Sequence, residues 1–245
     1  MVKNISLIPG VLAGTLMLLP LAGAHTEGSP ERARVAAADG LELIGDYFSA
    51  PTDAESVPAV LLLHMLGSER SAWEPLIPPL VEAGYHVLAV DMRGHGETGG
   101  SSDWPAAETD VQTWLDWLRG RPGVNGDGVS VVGASIGSNL ALLACAHDTG
   151  CVTVIALSPG LDYRGVQPLS ALTEGLVERS ALLVASHGDT YSADSIKELA
   201  ANASGEVGLR LYAGRAHGTQ LFRDDGERLI QTIIAWLDEY TPKRN

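Results

Sequence analysis

The sequence predicts an α/β fold: a mostly parallel sheet of about eight strands, with an N-terminal antiparallel hairpin and helices on both faces. Three observations carry this. From residue 57 onward, short apolar runs alternate with helical patterns, as in βαβ units. The chain has 245 residues and is 45% hydrophobic, enough for one domain with a sizeable core. Third, the apolar run 129–132 passes through a glycine-rich turn straight into a small-residue helix, Ser138-Asn139-Leu140-Ala141-Leu142-Leu143-Ala144.

The elements follow in order. Residues 34–38 and 41–48 flank the turn pair Asp39-Gly40 and form the hairpin. Buried parallel strands are expected at 59–63, 87–90, 129–132, 152–157, 181–185 and 209–212. Val111, Trp114, Leu115 and Leu118 recur at helical spacing and mark one apolar face. Leu229, Ile230, Ile233, Ile234 and Leu237 do the same near the C-terminus. With a short helix around 169–177 and another at 193–203, about six helices are expected. No internal repeat, low-complexity tract or interdomain linker interrupts the pattern.

Residues 1–24 stand apart. Lys3 is the only charge before an apolar stretch, and Ala22-Gly23-Ala24 is a small-residue cleavage site. The stretch is broken by Pro9, Gly10, Gly14 and Pro20, so it reads as a secretory signal peptide cleaved after Ala24, not as a spanning helix. The expected organisation is therefore a signal peptide (1–24), a flexible polar leader (25–33) and a single domain (34–245). A secreted or periplasmic protein follows, with no membrane insertion of the mature chain. The formal net charge of −14 becomes one unit more negative when Lys3 is removed, which disfavours nucleic acid and anionic membranes as partners. In an exported chain the close pair Cys145 and Cys151 is expected to be bridged, contributing roughly 2 kcal/mol by loop entropy. Only His147 lies near as a further ligand, so no metal site is expected there.

The turn after residue 132 is Gly133-Ala134-Ser135-Ile136-Gly137, a G-x-S-x-G pentapeptide. Its glycines suit a turn too crowded for side chains, with the serine hydroxyl pushed out of the sheet. Backbone N–H groups at the start of the following helix would face a developing oxyanion. A serine hydroxyl is a poor nucleophile at neutral pH. It needs a base within reach, and the base needs an acid to hold its tautomer. Downstream lie Asp189, after the apolar run 181–185, and His217 in Gly214-Arg215-Ala216-His217-Gly218-Thr219. Upstream lie His64-Met65-Leu66-Gly67-Ser68 and Asp91-Met92-Arg93-Gly94-His95-Gly96. In order and spacing this set resembles the α/β-hydrolases, over essentially all of the chain after residue 24. Among them it is similar to the small bacterial dienelactone-hydrolase-like group, with two departures. Ser135 stands where true dienelactone hydrolases have cysteine, and Met65 stands where glycine is usual.

The resemblance implies a nucleophile, acid, histidine order: Ser135, Asp189 and His217. Asp162 competes for the acid, since some relatives place it after the sixth strand. Asp194 reads instead as an early-turn helix residue favoured by the dipole. His187 and His147 are the other downstream histidines and are poorly placed. The backbone N–H groups of Ile136 and Leu66 are the expected oxyanion donors, with Met65 the alternate to Leu66. His64 is expected to make a structural hydrogen bond, Asp91 and Arg93 to bond locally in their turn, and His95 to shape that turn. Fewer than 25 residues separate Leu157 from Ala181, too few for the large lid of many lipases of this fold. The chain thus reads as an exported serine esterase acting on small short-chain esters, with no cofactor and no metal. A peptidase or thioesterase with the same three residues, and a non-catalytic binding module on the scaffold, are the alternatives. Substrate identity and oligomeric state are not legible.

Overall fold

The structure, a computed structural model, describes residues 30–52 and 54–241. The expected signal peptide and most of the polar leader lie outside the described residues. The sheet begins at β1 (Glu31–Ala36), three residues ahead of the expected hairpin start, and continues through β2 (Glu42–Phe48), β3 (Val57–Leu63) and β4 (His86–Asp91). The remaining strands are β5 (Val124–Ala134), β6 (Cys151–Leu157), β7 (Ser180–Ser186) and β8 (Val207–Tyr212). The helices are α1 (Ile77–Glu82), α2 (Trp104–Arg119), α3 (Ile136–His147), α4 (Thr190–Asn202) and α5 (Leu221–Tyr240).

The eight strands lie in the order β1-β2-β4-β3-β5-β6-β7-β8. β1 pairs antiparallel with β2, and β2 with β4; every other pairing is parallel. The hairpin loop is longer than the Asp39-Gly40 pair. Ladder pairing ends at Ala36 and Glu42, and Ala37 N–H closes the loop on the Leu41 carbonyl at 2.8 Å. The helix expected around 169–177 is present at 169–175, its main part a π-helical turn, Ala171–Gly175, in the connection between β6 and β7.

Side chains alternate along each strand and split the core in two. Leu61 and Leu63 of β3 point to one face with Val111, Trp114, Leu115 and Leu118 of α2 and the apolar side of α3. Val60 and Leu62 point to the other, where Leu80 of α1 and Leu229, Ile233 and Leu237 of α5 pack. The apolar periodicity of α2 and α5 exists to cover these faces.

Strand order decides where a site can form. From β3 the chain moves to β4 on one side, whereas β5 lies on the other. At such a switch point the connections leave in opposite directions and open a crevice beyond the strand ends. The segment after β3 and the turn after β5 border this crevice.

Candidate active site

Ser135 sits at the tip of the turn between β5 and α3 with φ 54° and ψ −124°, a conformation few side chains adopt. The pentapeptide explains how this is tolerated. A Cβ on Gly133 would overlap the Gly137 carbonyl, and a Cβ on Gly137 would overlap the carbonyls of Leu63 and His64. Glycine at both positions lets α3 start directly against β3. Ser135 N–H is held by the Leu157 carbonyl at 2.8 Å, and its own carbonyl accepts from Ser138 N–H at 2.9 Å.

His217 lies between β8 and a short 3₁₀ turn, Gly218–Gln220. Its Nε2 is 2.7 Å from Ser135 Oγ, and its Nδ1 is 2.7 Å from Asp189 Oδ2. Asp189 directly precedes α4, which starts at Thr190 and not near 193 as expected from sequence. Its carboxylate makes no bond to the first turn of α4 and turns to the imidazole instead. Asp194 therefore sits one turn deeper than expected, exposed and paired with Lys197 at 2.9 Å.

The other candidates have separate partners. Asp162 accepts from Gly165 N–H and from the Gln167 amide, each at 2.7 Å, and these bonds hold its carboxyl below the usual range. His147 ends α3, exposed, with Nδ1 3.2 Å from Glu108. His187 is fixed through its backbone N–H to the Tyr212 carbonyl at 2.9 Å, with its side chain exposed.

His64 is fully buried and makes the structural bonds expected of it. Nε2 accepts from Met92 N–H at 3.0 Å, so Nδ1 carries the proton and donates to the Met65 carbonyl at 2.8 Å. Burial drives its pKa down to about 4. It joins the end of β4 to the segment carrying Leu66. Met65 is half-buried, with its sulfur 3.8 Å from Thr219 Oγ1, so its side chain fills space beside the His217 segment. Leu66 itself is exposed.

The turn after β4 is held by longer-range partners than expected. The buried Asp91 carboxylate accepts from Arg70 N–H at 2.8 Å, the Arg70 guanidinium and Glu97 N–H at 2.8 Å. A Cβ on Gly96 would overlap that carboxylate. Arg93 pairs with Asp110 and Asp39, at 2.6 and 2.9 Å. His95 packs between His64 and Trp104, as a turn residue. Cys145 and Cys151 are joined by a disulfide, with Cα atoms 5.1 Å apart, at the far end of α3 from Ser135.

Three neighbours of the site were not legible beforehand. The Tyr163 ring stands edge-on to the His217 ring, with centroids 6.2 Å apart. Ser158 Oγ accepts from Gly218 N–H at 2.9 Å. Asn139, fully buried on α3, bonds Gly160 and Val166. Only the Ser158-Pro159-Gly160 turn composition hinted at a shaped loop there.

Known proteins agree with this architecture. The family described as the alpha/beta hydrolase fold matches residues 58–223, and the chain belongs to it. The uncharacterized protein YfhR of Salmonella typhi is 30% identical over 182 residues, which are 69% of this chain but 59% of that protein. The Pyrococcus furiosus esterase Pf2001 superposes with a TM-score of 0.73 at 19% identity, covering 87% of this chain and 93% of the other. A dienelactone hydrolase from Anabaena variabilis gives 0.71 at 21% identity, covering 88% and 100%. No helix among the described residues is long and apolar enough to cross a membrane.

Proposed function

We propose that the chain is an exported serine esterase that hydrolyses short-chain carboxylic esters through an acyl-enzyme on Ser135. The observation that carries this is the bridging imidazole: His217 lies 2.7 Å from both Ser135 Oγ and Asp189 Oδ2. With Nδ1–H donated to Asp189, Nε2 is the basic nitrogen and faces the serine hydroxyl. His217 takes that proton as Ser135 Oγ attacks the ester carbonyl. The oxyanion is met by the N–H of Ile136, an opening helix donor without an intrahelical acceptor, and by that of Leu66. His217 then gives its proton to the leaving alcohol. Water enters and attacks the acyl carbon as it gives a proton to His217; the Ser135 Oγ–carbon bond then breaks, Oγ takes that proton back from His217, and the acid leaves. Asp189 steadies the imidazolium in each half.

Ester chemistry is favoured by the likeness to a protein known as an esterase and by the serine at the nucleophile position. Short acyl groups are favoured by the β6–β7 connection, whose helical part is confined to residues 169–175. Export is supported by the composition of residues 1–24 and by the Cys145–Cys151 bridge. Ser135→Ala, assayed on a series of p-nitrophenyl esters, tests the reading. Turnover should fall by about three orders of magnitude or more with the unfolding transition intact. Activity retained within about tenfold of wild type would reject the serine mechanism.

A further inference from the structure

The imidazole of His217 has a third neighbour besides its two hydrogen-bond partners, and that neighbour is elaborately fixed. Asn139 lies one helical turn after Ser135 on α3. Its Nδ2 donates to the carbonyls of Gly160 and Val166 at 2.9 and 2.8 Å, and its Oδ1 accepts from Gly160 N–H at 3.1 Å. Both ends of the loop after β6 are thereby tied to the helix that carries the nucleophile. Tyr163 and Val166 exchange backbone bonds of 3.2 and 2.9 Å within the loop. A Cβ on Gly160 would strike the rings of Tyr163 and Tyr191, so the loop closes tightly on the tyrosine.

Tyr163 then meets His217 by two routes. Its ring stands at 86° to the imidazole. Its hydroxyl donates to the Ser158 carbonyl at 3.1 Å and lies 3.1 Å from the Ser192 hydroxyl. Ser158 is fully buried and left-handed at φ 54°. That strained backbone directs its Oγ to Gly218 N–H, the residue after His217. One residue thus braces the ring of the histidine, and through Ser158 its backbone.

We propose that Tyr163, acting with Ser158, is a positioning residue that keeps the His217 imidazole aligned when Ser135 is acylated. This rests on the serine esterase reading. Once Ser135 Oγ is bonded to the acyl carbon, its hydroxyl proton is gone and the serine no longer anchors Nε2. The imidazole must still aim at the departing alcohol and then at water. The Asp189 bond alone leaves rotation about that contact, and the edge-on tyrosine blocks it.

Leaving-group dependence provides the test. An alkyl alcohol must be protonated by His217 as it departs, whereas p-nitrophenolate needs no proton. Tyr163→Ala should lower kcat/KM about 10²-fold for an ethyl ester and only about tenfold for the p-nitrophenyl ester of the same acid. Tyr163→Phe keeps the ring edge-on to His217 but gives up the hydroxyl's bond to Ser158, so it should recover only part of the loss and fall between Tyr163→Ala and wild type on the ethyl ester. Should Tyr163→Ala not fold, Ser158→Gly carries the same test, because glycine keeps the left-handed backbone and removes only the hydroxyl. Each rate is divided by the active fraction titrated with a fluorophosphonate. Equal losses on the two esters, or a change confined to KM, would overturn the positioning role. A wild-type protein that the fluorophosphonate does not label would instead reject the underlying serine reading.

Discussion

His217 Nδ1 lies 2.7 Å from Asp189 Oδ2, while the two oxygens of Asp162 are each engaged by a donor of their own loop. The two aspartates therefore predict different phenotypes. Asp189→Asn turns an acceptor into a donor opposite Nδ1–H and favours the wrong tautomer. It should lower kcat by up to about 10⁴. Asp162→Asn should leave kcat within about tenfold, since it touches only the loop turn. Steady-state kinetics of the two variants on one ester decide the matter, and the reverse ranking would reject Asp189 as the acid.

Acyl-chain selectivity should follow from the short β6–β7 connection. kcat/KM measured on acetate, butyrate, octanoate and palmitate esters should peak at acetate or butyrate. An optimum at octanoate or longer, or activation at a lipid interface, would show that the site shelters long chains by some other means.

The disulfide should matter to stability and little to chemistry. Cys145 and Cys151 close a small loop at the end of α3 remote from Ser135. Replacing both with serine should cost roughly 2 kcal/mol of unfolding free energy in a urea titration. The fall should stop there, because the Arg179 guanidinium also ties this loop, donating to the Asp148 carbonyl at 2.7 Å and the Gly175 carbonyl at 2.6 Å. Thiol titration of the exported protein should find no free thiol before reduction and two after it. Two free thiols at the outset would remove the bridge and one support for export.

Acid should destabilise the fold partly through His64. Its pKa falls from the ordinary 6.5 to about 4 because burial disfavours the imidazolium, and Nε2 is occupied as an acceptor. Below pH 6.5 the unfolded chain takes up a proton that the folded chain refuses. Stability from this group is thus complete above pH 6.5 and is lost as pH falls toward 4, on the order of 3 kcal/mol at most. His86, also shifted down by burial, acts in the same direction. His64→Gln should be less stable than wild type at pH 7, and the gap should narrow as pH falls to 4.5. A gap that stays constant across urea titrations at each pH would contradict a neutral buried His64.

The sequence by itself determined the succession of strands along the chain, the two amphipathic covers α2 and α5, and the spacing of Ser135, Asp189 and His217. Those are properties of local pattern. An apolar run records burial on both faces of a strand, and G-x-S-x-G records a turn with no room for a Cβ. Boundaries were less legible. β5 begins at Val124, well before the apolar run, because Val57 of β3 pairs with it there across a bulge. The intervening Asn125-Gly126-Asp127-Gly128 reads locally as a turn. α4 begins at Thr190 because the Asp189 carbonyl already accepts from Ala193 N–H at 2.8 Å, a start that no apolar periodicity marks.

Only the tertiary structure shows that His217 lies beside Asp189 and that Asp162 is bonded within its own loop, since both aspartates follow strands that end at the same edge of the sheet. It also decided what Asn139, Ser158 and Tyr163 do. Asn139 looks like one polar residue in a small-residue helix, yet its bonds run to a loop more than twenty residues away. Hydrogen bonds between distant segments leave no periodic trace in a chain. They depend on angles and distances that exist only once β5, β6, β7 and β8 lie side by side in the folded sheet.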